Sequence, residues 1–132
     1  MIKNHTKLVS VNFNYILGIR FYTGGVDNLI QLIKTGGLIV APAAPALATM
    51  KDDLSYRIAL ENSDWAIVDS GFLVILWLIF NFEYIPKLSG LKFLRALLRN
   101  TDFCKKDNSF WIMPSNNDLV ININWLNKNG VC

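Results

Sequence analysis

The sequence predicts an α/β fold, a Rossmann-like parallel sheet with helices on both faces, and three observations lead there. Short apolar runs, Leu38 to Ala41, Trp65 to Val68 and Phe110 to Met113, alternate with segments whose apolar residues recur at helical spacing. Runs without a polar alternation suit strands covered on both faces, as in parallel sheets. Glycine and proline clusters, Gly36-Gly37, Pro42 to Pro45 and Pro114 to Asn117, stand at the junctions between them.

In chain order, residues 1 to 13 carry little pattern and read as a loosely ordered lead-in. Tyr15 to Tyr22, with β-branched Ile16 and Ile19, reads as a strand closed by Thr23-Gly24-Gly25. Val26, Leu29, Ile30, Leu32 and Ile33 then recur at helical spacing, with Asp27 in the first turn and Gly36-Gly37 as the stop. After the strand at Leu38 to Ala41, Pro45 is placed to begin a helical turn over Ala46 to Met50. Asp52 or Asp53 can cap a further helix carrying Leu54, Ile58 and Leu60.

Trp65 to Val68 is the third predicted strand, and Phe72 onward a buried core helix broken around Asn81 to Pro86. Ser89 is placed to cap the next helix, with Leu91, Leu94, Leu97 and Leu98 opposite Lys92, Arg95 and Arg99. Phe110 to Met113 is a fourth predicted strand, Pro114 to Asn117 a loop, and Leu119 to Lys128 a final helix ended by Gly130. Trp111 and Trp125 are expected in the core.

The totals narrow the function classes. A chain of 132 residues is one domain's worth of material. Its 52% apolar and 17% charged content excludes a disordered chain. A net charge of +3, with basic residues scattered apart from Lys105-Lys106, gives no stripe of the kind that nucleic acid requires. Cys104 and Cys132 lack metal-ligand spacing and read as a reduced cytosolic pair. His5, the one histidine, lies in a polar tail, so neither a metal centre nor a histidine-dependent triad is supported. The longest uncharged apolar run, Gly71 to Phe80, is far short of the roughly 20 residues of a membrane helix.

Loops leaving strand carboxyl ends gather ligands in such sheets, which makes three of them candidates. Asp69, between an apolar strand and the Ser70-Gly71 turn, is the candidate general base; the competing reading is a carboxylate capping the helix from Phe72. Ala41, Pro42 and Ala43 could border a sugar or nucleotide, or form a rigid connection only. Pro114, Ser115 and Asn116 could present amides and hydroxyls to a phosphate, against an ordinary serine-capped helix start. Lys87 with Ser89-Gly90 could bind an anion, against an exposed, solvated lysine.

Gly36 to Ala48, Asp64 to Gly71 and Ile85 to Leu94, read together, resemble the WecG/TagA/CpsF glycosyltransferases. They share the order of a double glycine, a strand and a proline loop, then an apolar strand ending in Asp, then a basic residue before a Ser-Gly helix start. The resemblance implies inverting, metal-independent transfer of an N-acetylhexosamine-type sugar from a UDP-sugar donor, without a further cofactor, to a lipid-linked or saccharide acceptor. It implies cell-wall or polysaccharide biosynthesis in the cytoplasm, at the inner face of the plasma membrane, with peripheral membrane attachment of the full-length protein and room for a homo-oligomer. Asp69 matches the family's proposed base and Lys87 a phosphate contact.

Three departures stand out. Ala41-Pro42-Ala43 replaces the family's frequent Thr-Pro-Asn, Lys87 stands where arginine is common, and Ser70 separates Asp69 from Gly71. The chain resembles the N-terminal part of such an enzyme, so the expected domain is an incomplete one. An inactive α/β binding module is the alternative.

Overall fold

The structure, a computed structural model, describes residues 12–103 and 109–130. It is an α/β fold, and its described residues fall into two compact units, one up to Phe93 and one from Leu94. The predicted readings of His5, Cys104, Lys105-Lys106 and Cys132 lie outside the described residues.

The first unit is built on a four-stranded sheet in the order β1-β2-β4-β3. Its strands are β1 (Phe13–Ile16), β2 (Ile19–Tyr22), β3 (Ile39–Val40) and β4 (Trp65–Ile67). β4 lies between β2 and β3 and is parallel to both. β1 and β2 are antiparallel, with Phe13 opposite Tyr22 and Ile16 opposite Ile19. The sheet is therefore mixed, and the single strand expected over Tyr15 to Tyr22 is instead a hairpin that begins at Phe13, inside the expected lead-in. Its two-residue turn is Leu17-Gly18, both at positive φ (53° and 82°). That pair of conformations matches the right-handed twist of a hairpin, but it is carried by leucine where Asn or Asp is usual, so the turn has no sequence signature.

Alternation along the strands divides the core between the two faces. Phe21, Ala66 and Val68 join Leu47, Met50, Leu60 and Ile85 on one face, with Leu73, Val74 and Trp77 packed at its margin. Tyr22 and Ile67 join Leu29 and Leu88 on the other, beside Val26, Leu32 and Phe93. The helices follow this division. α1 (Val26–Ile33) and the start of α5 (Gly90–Arg99) cover the second face, and α2 (Ala44–Thr49), α3 (Leu54–Glu61) and α4 (Gly71–Asn81) the first. Asp53 caps α3 by accepting from Tyr56 N at 2.9 Å, and Pro45 stands in the first turn of α2.

The amino edge of the sheet is closed by a compact polar device. Gly37, at φ +118°, lets the chain turn into β3, and a Cβ there would lie 3.1 Å from Asp64 Oδ2. That oxygen accepts from Leu38 N at 2.7 Å, while Arg20 Nε donates to Asp64 O at 2.8 Å. The Arg20 guanidinium lies 4.2 Å from the centroid of the Trp65 ring. Residues 44 positions apart thus lock the hairpin to the start of β4.

α4 departs from expectation. The sequence suggests a buried core helix, yet none of its residues is buried. One flank packs on the sheet through Leu73, Val74 and Trp77, and Phe72, Ile75, Leu78, Ile79 and Phe80 are exposed. An apolar run that long is hydrophobic all round, and a helix lying on one sheet face covers only one side of itself. Among the described residues no helix is long and apolar enough to cross a membrane.

The second unit contains the end of α5 and α6 (Asn116–Lys128). The fourth strand expected at Phe110 to Met113 does not form: these residues are irregular, and Phe110 and Ile112 are exposed. Among the described residues no strand pairs with them, and an apolar run alone does not supply one. Trp125 is exposed and Trp111 half-buried, so neither matches its predicted place in the core, and the buried Trp111 Nε1 has no hydrogen-bond partner. Ser115 caps α6, accepting from Asp118 N at 3.2 Å, so the helix starts three residues earlier than the apolar periodicity indicates.

Tyr22 carries a pH signature of this core. It is buried, its hydroxyl donates to Gly25 O at 3.0 Å, and burial pushes the phenol above its usual value of 10.0. A native pKa above the unfolded one contributes stability that is present below about pH 10 and is lost as pH rises through the native value. Chemical denaturation between pH 7 and 11 is expected to show this alkaline loss. Tyr22→Phe should remove that part of the dependence while costing about 1 kcal/mol at neutral pH for the missing hydrogen bond.

Candidate functional site

The carboxyl edge of the parallel strands is where the sheet can hold a reacting group. β3 runs out at Val40 into Ala41, and β4 runs out at Ile67 into Val68 and Asp69. Because β3 and β4 are adjacent and parallel, with Val40 opposite Ala66, the loops after them leave side by side. The chain returns to this edge after α4, where Leu88 N donates to Val68 O at 3.0 Å. That single backbone bond seats the Lys87–Gly90 segment against the end of β4.

Asp69 is fixed at the junction. Its Oδ1 accepts from Gly90 N, the first amide of α5, at 2.9 Å. The side chain is otherwise exposed. The expected alternative, in which Asp69 caps the helix beginning near Phe72, does not occur. Ser70 takes that position, its Oγ accepting from Leu73 N at 3.3 Å, and Asp69 instead satisfies an amide of α5, 21 residues further on. A capping serine immediately after the aspartate leaves the carboxylate available to a different helix.

Glycine at position 90 leaves room beside the carboxylate. A Cβ there would stand 3.3 Å from Asp69 Oδ2 and 3.8 Å from Ala41 Cβ. Three predicted segments, those containing Ala41, Asp69 and Gly90, therefore meet at one point of the edge. Lys87 reaches the same edge: a Cβ on Gly71 would lie 3.7 Å from Lys87 Nζ. Lys87 is exposed, so its ammonium stands at the start of α4 facing solvent. Pro42 is buried beneath the loop, and Ala43 is exposed at the N-cap position of α2, where its carbonyl accepts from Leu47 N at 3.1 Å. Ser89 is half-buried, and its carbonyl accepts from Phe93 N at 2.9 Å.

Pro114, Ser115 and Asn116 belong to the second unit. There they line a cavity of about 340 Å³ with Phe110, Trp111 and Leu119. Ser115 Oγ is engaged twice within its own turn, accepting from Asp118 N and donating to Asp118 Oδ2 at 2.6 Å. Among the described residues no group of three or more His, Cys, Asp or Glu side chains is arranged to hold a metal ion.

The segments that prompted the family resemblance divide by location. Gly36-Gly37 and Asp64 build the amino edge, and Ala41, Asp69, Gly71, Lys87 and Gly90 the carboxyl edge. Arg20, which clamps Asp64 and Trp65, escaped the sequence reading because nothing local marks a partner 44 residues away. Comparison with known proteins adds no assignment: no protein family, no curated protein and no solved structure matches the chain.

The Gly90 contact predicts a graded response. Asp69→Ala is expected to lower stability by about 1 kcal/mol, the usual loss on removing a side-chain acceptor from a helix start, whereas Asp69→Asn keeps an acceptor oxygen and should lose less. Urea denaturation of the three proteins reads the difference.

Proposed function

We propose that the chain is the N-terminal portion of a glycosyltransferase of the WecG/TagA/CpsF type, with Asp69 as general base. The observation that carries this reading is the convergence of Ala41, Asp69 and Gly90 at the carboxyl edge of β3 and β4, with Lys87 beside Gly71. A strand-end carboxylate and a lysine at one edge of an α/β sheet supply the two charges that sugar transfer from a nucleotide diphosphate donor uses.

In this proposal Asp69 accepts the proton of the acceptor hydroxyl as that oxygen forms a bond to the anomeric carbon. The bond from that carbon to the diphosphate oxygen breaks on the opposite face, UDP leaves with the electron pair, and the configuration inverts. Lys87, an exposed point charge, would meet the diphosphate, with the Ala41–Ala43 loop bordering the donor. The reaction would take place on the cytoplasmic side of the membrane with a lipid-linked or saccharide acceptor.

A second reading, a binding module without catalysis, draws on one specific observation. The Asp69–Gly90 bond is also what a purely architectural carboxylate would make. The two are separated by chemistry that the fold tolerates, since Asp69→Asn keeps the acceptor oxygen and removes only the ability to take a proton.

With a UDP-N-acetylhexosamine donor and a lipid-linked acceptor, the proposal expects sugar transfer by the wild-type chain and a roughly 100-fold or greater loss in Asp69→Asn. UDP should raise the melting temperature of both. Intact transfer by Asp69→Asn would remove the base assignment. A wild-type chain that is neither stabilised by UDP nor able to turn over the donor is the module.

A further inference from the structure

α6 ends on a cap built by one asparagine. Asn129 N donates to Trp125 O and to Leu126 O, each at 3.1 Å, and Asn129 Nδ2 donates to Trp125 O at 2.7 Å. The last turn therefore holds both the backbone and the side chain of this residue. Gly130 follows at φ +68°, the left-handed conformation common just past a helix, and its N donates to Asn127 O at 3.2 Å.

The same two residues form the step of the sequence most open to ring closure. Asn129-Gly130 is the one place in the chain where glycine follows asparagine. Asparagine is a thermolabile residue, because its side-chain amide carbon can be attacked by the backbone nitrogen of the residue that follows. Glycine lacks the Cβ that would hinder this approach, and its backbone turns most freely into the required geometry. Asn62 and Asn108, which precede serine, come next in this respect.

We propose that Asn129 is a site of spontaneous deamidation, held back by its own cap, and that the reaction removes that cap irreversibly. The Gly130 nitrogen bonds to Asn129 Cγ and gives up its proton to solvent, the Cγ–Nδ2 bond breaks, and Nδ2 leaves as ammonia. Water then opens the resulting five-membered imide at either carbonyl, giving aspartate or isoaspartate; water is the one co-reactant and nothing is oxidised or reduced. In the native cap both participants are engaged, Nδ2 with Trp125 O and the Gly130 N–H with Asn127 O, so the last turn has to open before the ring can close. The product cannot return to the same place. A carboxylate accepts hydrogen bonds and donates none, so it repels Trp125 O where the amide bound it, and its charge stands at the negative end of the helix. The inference stands apart from the catalytic reading, since Asp69 and Lys87 take no part in it.

Incubation of the full chain in mildly alkaline buffer, followed by peptide mapping with mass spectrometry and enzymatic methylation of isoaspartate, tests it. Acid is expected to form at residue 129 ahead of every other asparagine, and to form about 10-fold faster in guanidinium chloride, where the cap is absent. Asn129→Gln, whose longer side chain would have to close a larger ring, should stop acid formation at that position. Asn129→Asp reproduces one product, and hydrogen exchange at the amides of residues 129 and 130 is expected to be about 3-fold or more faster in it than in the wild type. Equal rates in buffer and in guanidinium chloride overturn protection by the cap, and a folded or unfolded chain that forms no acid at residue 129 overturns the site. Unchanged exchange in Asn129→Asp overturns the loss of the cap.

Discussion

The first unit depends on the pairing of β4 along both of its edges. The strand has only three residues, so few ladder bonds hold it, and its stability rests on being covered above and below. Ala66 and Val68 face one layer of helices and Ile67 the other, each essentially sealed from water. A polar residue at any of these positions would need a partner that neither layer offers. Once β4 is fixed, the position of Asp69 follows, since it is the first residue beyond the sheet that water can reach. The place where chemistry can occur is thus set by the place where burial ends.

That part of the molecule was legible in the sequence because its signals are local and agree. Continuous apolar runs gave β3 and β4, and helical periodicity gave α1, α3 and α5 close to their observed positions. Of the two aspartates that could cap α3, Asp53 does, and Ser115 takes the helix-capping place that was the alternative to a phosphate site. What the sequence did not reveal depends on contacts between distant residues. The Leu17-Gly18 turn lacks the Asn or Asp that would announce it, so two antiparallel strands read as one. Phe110 to Met113 has the composition of a strand, yet a strand exists only where another supplies its hydrogen bonds. The predicted capping role of Asp69 failed for a related reason: Ser70 lay nearer to the helix that follows, and the amide that Asp69 meets could be found only through the tertiary structure.

α4 shows that composition and burial are separate quantities. A run from Phe72 to Phe80 without a polar residue reads as interior because, in a complete fold, it would cost too much to expose. The sheet provides one surface, and a helix resting on one surface keeps its opposite side free. The expected burial of the whole helix therefore does not occur, and the first unit covers one flank of it.

The geometry at Asp69 fixes one of its two oxygens. A carboxylate has two oxygens and about four acceptor sites. The Gly90 amide occupies Oδ1, which holds the side chain in one orientation over the end of β4. Oδ2 lies on the side where residue 90 has no Cβ, and a methyl group there would sit 3.3 Å from it, in ordinary contact with Ala41 at 3.8 Å. The residue-90 amide fixes one oxygen, and the bare α-carbon of glycine spares the other a close contact.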